Sequence, residues 1–191
     1  MGEAKAGQGA LALVGMPGAG KTVCADHLQA QGYFSLRFGG VVVDEVRRRG
    51  LAVNPQNERV VREELRQAHG MAAMAAISLP RLQQALQARS HIVIDGLYSF
   101  SEYKLLNEKL GAPLVLVAIT APRHLRYQRL ADRSDRPLTP SEARERDMLE
   151  IERLEKGGPI AMADYTLLNE RAPADLLRQL DALLGALGFS P

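Results

Sequence analysis

Eight residues near the start of the chain carry the clearest chemical signal. Gly15-Met16-Pro17-Gly18-Ala19-Gly20-Lys21-Thr22 has the spacing of a phosphate-binding loop, G-x-x-x-x-G-K-[ST]. In such a loop the glycines let successive backbone N–H groups point at one anion, and the following helix adds its positive end. Lys21 offers a charge to the β- and γ-phosphates, and Thr22 offers a hydroxyl to Mg²⁺. We therefore predict that a nucleotide binds at Gly15, Pro17, Gly18, Ala19, Gly20, Lys21, Thr22 and Val23.

The sequence on either side of this loop supports that interpretation. An uninterrupted apolar run at 10–14 precedes it, as expected of a strand that is buried on both faces. A helical pattern follows at 23–31 and stops at Gly32. The motif also occurs by chance in glycine-rich turns. A strand before the loop and a helix after it favour nucleotide binding over a chance match.

A carboxylate follows the third apolar run of the chain, where Asp95 is joined to Gly96. Ligand sites in parallel sheets lie at the carboxyl ends of the strands, so Asp95 is expected beside the phosphate loop. There it would hold Mg²⁺ through water or accept a proton from an incoming hydroxyl. The alternative is an aspartate that only caps the turn made with Gly96. We favour the functional role and count Asp95, with Thr22, as a metal-binding residue.

Arginines are concentrated in the third quarter of the chain. Arg126, Arg129 and Arg133 are three and four residues apart, so one helix would present all three on one face. Arginine forks suit phosphate oxygens better than the point charge of a lysine does. The alternative is ion pairing with acidic neighbours such as Asp132 and Asp135, and some of these arginines are expected to do only that.

A polar stretch with Arg136 continues into a helix with Arg146, and we interpret 133–146 as a short lid. Phosphoryl transfer needs positioning and positive charge around the moving group rather than covalent chemistry. Arginines on a closing lid would supply that charge and exclude water. With Lys21 and Asp95, the predicted catalytic residues are therefore Arg133, Arg136 and Arg146.

Five short apolar runs separated by helical patterns predict an α/β fold with a parallel sheet wrapped by helices on both faces. The runs lie at 10–15, 33–37, 91–95, 113–119 and 165–168. Residues 1–191 are interpreted as a single domain.

The interval 39–90 is much longer than a simple crossover, and its patterns predict an all-helical insertion with helices at 40–49, 55–69 and 71–88. We expect a small-molecule phosphate acceptor to bind near 39–90. Its candidate contacts are Arg47, Arg48, Arg49, Arg62 and Arg66, although surface ion pairs explain these residues about as well.

Composition limits the other possibilities. The 191 residues include 24 Lys and Arg against 22 Asp and Glu, and a net charge of +2 gives no support to nucleic acid or a membrane as partner. A single cysteine, Cys24, indicates a reducing compartment. Met1–Gln8 lacks the pattern of a signal peptide, so a short disordered tail is predicted there. The expectation is a cytoplasmic protein, either a monomer or a weak homo-oligomer.

Taken in order, several stretches make the chain resemble the nucleoside-monophosphate-kinase-like P-loop kinases, in a branch related to adenylate kinase and dephospho-CoA kinase. They are Gly15–Thr22, Val46–Gly50, Glu64–Met71, Val93–Gly96, Arg144–Asp147, Ala163–Tyr165 and Asn169-Glu170. Only the loop is specific by itself.

That resemblance implies a three-layer sandwich with sheet order 2-3-1-4-5 and ATP with Mg²⁺ as the phosphoryl donor. It implies that Arg129 packs on the donor adenine and that Arg133 contacts phosphates. It also implies that Arg146 and Asp147 match the family's Arg-x-Asp on the helix after the lid. The segment around Asn169 would line the adenine pocket.

The acceptor side departs from both relatives. Where adenylate kinases carry an aspartate and an arginine at the start of the acceptor helix, this chain has Val41 and Asp44. Where dephospho-CoA kinases carry D-x-D after the second strand, it reads Arg37-Phe38-Gly39. The leading hypothesis is a kinase for a nucleotide-like acceptor, of the nucleoside monophosphate or dephospho-CoA type. A nucleotide-dependent switch or ATPase regulator, and an ATP-binding protein without turnover, stay open as alternatives.

Overall fold

The computed structural model describes residues 7–191. A disordered tail was predicted for Met1–Gln8, and residues 1–6 of that stretch lie outside the described residues. Gln8 itself donates a side-chain hydrogen bond to the carbonyl of Leu86 (2.6 Å), so the prediction of disorder is wrong at this residue.

Five parallel strands form one sheet in the order β2-β3-β1-β4-β5, which confirms the predicted sheet. The strands are β1 (Gly9–Val14), β2 (Phe34–Arg37), β3 (His91–Asp95), β4 (Leu114–Thr120) and β5 (Tyr165–Leu168).

Nine helices connect or flank these strands within residues 7–191. They are α1 (Lys21–Ala30), α2 (Phe38–Arg48), α3 (Pro55–His69), α4 (Ala73–Ala88), α5 (Phe100–Lys109), α6 (Arg123–Ala131), α7 (Pro140–Glu152), α8 (Gly157–Ala161) and α9 (Pro173–Leu187). The capping boxes at the starts of α5 and α7, Ser99 with Glu102 and Thr139 with Glu142, form both reciprocal hydrogen bonds.

The central strand shows why the sheet is covered on both faces. Ala10, Ala12 and Val14 point into a core shared with α2, α4 and α5. Leu11 and Leu13 point to the opposite face, into a core shared with α1 and α9. Because side chains alternate along a strand, a strand that is apolar at every position must be covered on both sides. The predicted three-layer sandwich is therefore confirmed.

Three helices, α2, α3 and α4, occupy the interval between β2 and β3, close to their predicted positions. The starts differ: α2 begins two residues earlier than predicted because Phe38 is fully buried in the core, and α4 begins two residues later, at Ala73. In residues 7–191 we find no helix that combines the length and hydropathy needed to cross a bilayer.

The sheet places the chemical groups at one edge. The phosphate loop leaves the carboxyl end of β1, and Asp95 ends the neighbouring strand β3. Arg37 ends β2 and stands in register with Asp95. Three adjacent strands thus deliver loop, carboxylate and guanidinium to the same edge, as expected of parallel strands.

Candidate functional site

The glycines of the loop are required by close approach of its neighbours. Gly20 has φ 111°, and an added Cβ would lie 2.3 Å from the Nδ2 atom of Asn169. Gly18 has φ 77°, and its Cβ would lie 2.6 Å from the carbonyl oxygen of Arg126. Contacts this short do not occur for a real Cβ, and both positive φ values disfavour any residue with a side chain. Another residue would force a backbone shift at Gly18 and would displace the Asn169 side chain at Gly20. The bare backbone leaves the loop amides open to a ligand.

Lys21 begins α1 and turns its ammonium back over the loop. Its Nζ donates to the carbonyls of Gly15 (2.7 Å) and Met16 (3.2 Å). Burial, together with the nearby positive charge of Lys156, lowers the pKa of Lys21 to about 7. An anion placed beside the ammonium would favour the charged form of Lys21.

A cavity of about 510 Å³ opens in front of the loop and collects most of the predicted site. The predicted residues that line it are Pro17, Gly18, Gly20, Lys21, Thr22, Val23, Asp95, Arg129, Arg133, Arg136 and Arg146. Three residues that the sequence did not single out for this role complete the wall: Arg37, Tyr98 and Lys156. We call this the phosphate cavity.

Three predicted residues do not line the phosphate cavity. Gly15 and Ala19 face a smaller hollow of about 180 Å³ on the other side of the loop. Asn169 is buried behind the loop, where its Nδ2 donates to the carbonyl of Ala19 (2.8 Å). It also accepts a hydrogen bond on its backbone oxygen from Nη2 of Arg129 (2.9 Å). Asn169 thus connects the loop to Arg129.

Arg129 presents a buried, unused donor. Its Nη1 atom is buried and has no hydrogen-bond partner among the described residues. A buried donor without a partner costs about 1–3 kcal/mol, so such an atom at the wall of a cavity indicates that a ligand supplies the acceptor.

Arg126 does not share the face of Arg129 and Arg133, so the predicted three-arginine face is wrong. Helix α6 ends at Ala131, which leaves Arg133 in the following turn. Arg126 is 7% exposed and forms a two-pronged ion pair with Asp147 of α7, with N–O distances of 3.0 and 2.6 Å. Its Nη1 also donates to the carbonyl of Pro17 (2.9 Å). Arg126 therefore supports the loop from behind.

The metal prediction rests on Thr22 and Asp95, which line the same cavity. Arg37 donates to Oδ2 of Asp95 at 2.6 Å, which fixes the carboxylate and engages one of its two oxygens. Within residues 7–191 no group of three His, Cys, Asp or Glu side chains forms a cage for a metal ion. This pattern fits Mg²⁺, which commonly takes one or two protein ligands and completes its shell with water and phosphate oxygens.

A second cavity of about 360 Å³ adjoins the first and lies between α3 and α7. Its wall carries five arginines, namely Arg59, Arg62, Arg66, Arg146 and Arg153. Tyr98 and Arg146 line both cavities. The Nε atom of Arg66 is buried without a partner among the described residues, and burial lowers the pKa of this guanidinium. We call this the arginine cavity.

The other candidate acceptor contacts lie elsewhere. Arg48 and Arg49 form ion pairs with Glu45 (2.6 and 2.8 Å), and Arg47 lies 3.7 Å from Asp44. Of the candidates, only Arg62 and Arg66 line the arginine cavity. Of the five arginines predicted to contact the acceptor, Arg62 and Arg66 therefore stay as candidates.

The predicted lid contains a fixed point. Arg136 has φ 55°, a left-handed conformation that is rare for a residue with a side chain. Its Nη2 lies 3.2 Å from Oε1 of Glu58 on α3. The segment between α6 and α7 thus contacts the helical insertion across the phosphate cavity.

Comparison with known proteins places this chain in a family. A family model described as an AAA domain matches residues 11–150. A UPF0200 protein of Thermococcus kodakarensis is 32% identical over 182 residues, covering 92% of this chain and 98% of the relative. Another, from Pyrobaculum aerophilum, is 35% identical over 171 residues, covering 88% and 92%. The chain belongs to the UPF0200 family.

Solved structures share the fold of this UPF0200 chain. TT1252 from Thermus thermophilus superposes with a TM-score of 0.60 at 19% identity, covering 94% of this chain and 98% of that one. A shikimate kinase from Bacteroides thetaiotaomicron gives 0.58 at 14% identity, covering 92% and 98%. At these identities the likeness concerns the fold, and it confirms the predicted P-loop kinase fold.

The UPF0200 sequence did not point to three residues of the phosphate cavity, Arg37, Tyr98 and Lys156. Two of them could have been predicted from their place in the sequence, and the third could not. Arg37 ends β2, and a sheet order with β2 beside β3 already places it next to Asp95. Tyr98 follows Asp95 by three residues, on the loop that leaves β3. Lys156 lies just before α8 and belongs to no motif, so its position follows only from the three-dimensional packing.

The capping residue Glu102 holds the loop that carries Tyr98. It is fully buried, and its Oε2 accepts from the backbone N–H groups of Tyr98 (2.7 Å) and Ser99 (3.0 Å). Its Oε1 has no partner among the described residues. Burial raises the pKa of Glu102 to about 7, although these two hydrogen bonds and the positive charges of Arg66 and Lys156 oppose that change.

We expect Glu102→Gln to remove a pH dependence of stability. The raised pKa means that the folded protein keeps a proton that the unfolded chain releases near pH 4.5. The stabilising contribution is thus complete below pH 4.5 and is lost as the pH rises through 7, by up to about 3 kcal/mol. Urea unfolding at pH 5 and pH 8 would measure it, and the variant should gain on the wild type at pH 8. If the wild type and Glu102→Gln differed in free energy of unfolding by the same amount at pH 5 and at pH 8, the raised pKa of Glu102 would be contradicted.

Proposed function

We propose that the protein is an ATP-dependent phosphotransferase that moves the γ-phosphoryl group to a small, anionic, nucleotide-like acceptor. The observation that carries this proposal is the meeting of two cationic cavities at Tyr98 and Arg146. One cavity is built on a phosphate loop, and the other has five arginines in its wall. Two adjoining sites for anions are what a transfer between two phosphate-bearing or carboxylate-bearing molecules requires.

On the donor side, the loop amides and Lys21 bind the β- and γ-phosphates. Arg129 packs against the base, and its unused Nη1 is available to the ligand. Thr22 and Asp95 would hold Mg²⁺, which would supply charge neutralisation for the phosphates. Asn169 acts from behind the cavity wall by fixing Arg129 to the loop.

At the transfer point, positive charge does most of the work. Arg133, Arg136 and Arg146 line the phosphate cavity together with Lys21 and would stabilise the charge on the moving group. Burial and the charge of Arg146 lower the pKa of Arg133, and both guanidinium groups line the same cavity. Asp95, fixed by Arg37, is placed to accept the proton of an incoming hydroxyl.

On the acceptor side, Arg62 and Arg66 recognise an anionic group. The buried Nε of Arg66 has no hydrogen-bond partner within residues 7–191, and an acceptor carboxylate or phosphate would supply the missing hydrogen bond. Val41 and Asp44, which depart from the adenylate kinase pattern, line a separate hollow under α2. Their identity therefore does not remove the arginine cavity as an acceptor site.

The solved structures with this fold add support. Besides the shikimate kinase, a gluconokinase from Sinorhizobium meliloti superposes with a TM-score of 0.55 at 15% identity, covering 97% of this chain and 98% of that one. Both names denote kinases for small acceptors. They support the reaction class and leave the acceptor to be identified by assay.

The test is ADP production from Mg·ATP, alone and with a panel of nucleoside monophosphates, dephospho-CoA and small hydroxy acids. Acceptor-dependent turnover supports the proposal. ADP production that only a protein partner stimulates would support a regulatory ATPase instead. Tight ATP binding without turnover under every condition would support a binding protein.

Arg133→Ala is expected to lower kcat about 10²- to 10³-fold while the Kd for Mg·ATP changes less than about threefold. The reason is that Arg133 stands in the turn after α6, where its contact with the phosphoryl group should strengthen as charge develops. Steady-state kinetics and calorimetry would measure the two quantities, with the exposed Arg144→Ala on α7 as control. Equal losses in kcat and in affinity would contradict this role.

A further inference from the structure

Lys156 is a buried lysine at the wall of the phosphate cavity. It is 2% exposed and immediately precedes α8. Its Nζ pairs with the carboxylate of Glu150 and lies 4.9 Å from the centre of the Tyr98 ring. Buried lysines are rare, and the ammonium of this one lies at the wall of a cavity for phosphates, where it could bind a phosphate oxygen.

Glu150 holds two cations at once. Besides Lys156, it accepts a hydrogen bond from Nε of Arg146 one helical turn earlier (3.0 Å). Lys156 and Arg146 line the phosphate cavity, whereas Glu150 does not. Glu150 instead lines the adjoining arginine cavity. Because its one negative charge is shared between two cations, a net positive charge remains at the phosphate cavity.

The backbone around Lys156 is shaped to send it inward. Glu155, the residue before it, has φ 55°, and its carboxylate accepts from the backbone N–H (2.9 Å) and hydroxyl (2.7 Å) of Ser101. The next turn packs so closely on α5 that a Cβ at Gly158 would lie 2.7 Å from the Cβ of Phe100. The left-handed conformation of Glu155 and the close contact at Gly158 both fix the backbone next to Lys156. Backbone constraints of this kind are typical of functional positions.

We propose that Lys156 is a second lysine of the phosphate site, which contacts the phosphoryl group in transfer, and that Glu150 is the positioning residue that aims it. The proposal rests on the proposed function and adds a residue to it. Lys21 would approach the phosphates from the loop, and Lys156 would approach from the stretch between α7 and α8, with Arg146 lining the same cavity. A buried pair that served folding alone would have no reason to open on this cavity.

The experiment compares ligands that differ only at the transferred group. Calorimetry measures the Kd of Mg·ADP, of Mg·AMP-PNP and of Mg·ADP with aluminium fluoride for the wild type and for Lys156→Met. We expect the Kd of Mg·ADP to change less than about threefold. The affinity for Mg·AMP-PNP should fall about tenfold, and that for the aluminium fluoride complex about 10²-fold or more.

Three further variants separate function from folding. Lys156→Arg keeps the charge and should recover part of the discrimination between Mg·ADP and Mg·AMP-PNP. Glu150→Gln should show the same pattern as Lys156→Met with a smaller loss, because the lysine is present but no longer aimed. Lys109→Met removes an exposed lysine of α5 and should change nothing. Thermal unfolding of each variant reports its folded state.

Equal losses for Mg·ADP and Mg·AMP-PNP in both Lys156→Met and Lys156→Arg would overturn the role of Lys156. Unchanged discrimination in Glu150→Gln would overturn its positioning role. A wild type that binds none of the three ligands would instead overturn the proposed function, so the two failures are distinguishable.

Discussion

Lys21→Met is expected to lower turnover at least about 10³-fold while the protein stays folded. The Nζ of Lys21 already lies within 2.7 Å of a loop carbonyl, and it needs only a short movement to reach a phosphate in the loop. Because burial lowers the pKa of Lys21 to about 7, the folded state disfavours its charge. A methionine keeps the packed stem and removes that unfavourable charge, so stability is not expected to fall.

The measurement is acceptor-dependent ADP production, with thermal unfolding in parallel. Lys109→Met is the matched control, because it makes the same exchange at an exposed position of α5. The Kd of Mg·ATP should also rise, since the lysine contacts the ligand before the reaction as well as during it. Turnover within a few-fold of the wild type would remove Lys21 from the mechanism.

Asp147→Ala is expected to cost about 3–5 kcal/mol of the free energy of unfolding. Nη1 and Nη2 of Arg126 both donate to the Asp147 carboxylate, and Nη1 also donates to the carbonyl of Pro17. Because the substitution removes that carboxylate, the buried guanidinium loses its opposite charge. The melting temperature should fall by about 10 °C. Nucleotide affinity should fall as well, because the same arginine fixes the backbone of the loop.

Chemical denaturation measures this effect, and Glu108→Ala on the exposed side of α5 is the control. Asp147→Asn should be milder, because the amide oxygen can still accept one hydrogen bond. A loss below about 1 kcal/mol for Asp147→Ala would mean that water reaches Arg126 in place of the carboxylate.

The layers of the fold followed from local patterns that tertiary contacts did not override. β1 reads as an apolar run because both of its faces are buried, and α5 and α7 begin where their capping boxes predict. The loop was also predictable, because close contacts such as that between Gly20 and Asn169 demand glycine whatever the ligand.

The division of labour among the arginines was not predictable from spacing. Arg126 and Arg129 are three residues apart on one helix, yet one faces Asp147 and the other faces the cavity. Which arginine is neutralised depends on where α7 packs, and that is a contact between distant parts of the chain. Lys156 was missed for the same reason, since its partner Glu150 and its ring contact Tyr98 are brought together only by the fold.

One turn of α7 serves three separate purposes, through Arg146, Asp147 and Glu150. Each residue of a helix is rotated by about 100° from the one before it. Deleting a single amino acid just ahead of this turn would swing all three side chains away from their targets together. During divergence of the family, this stretch should tolerate exchange of its solvent-facing residues but no change of length.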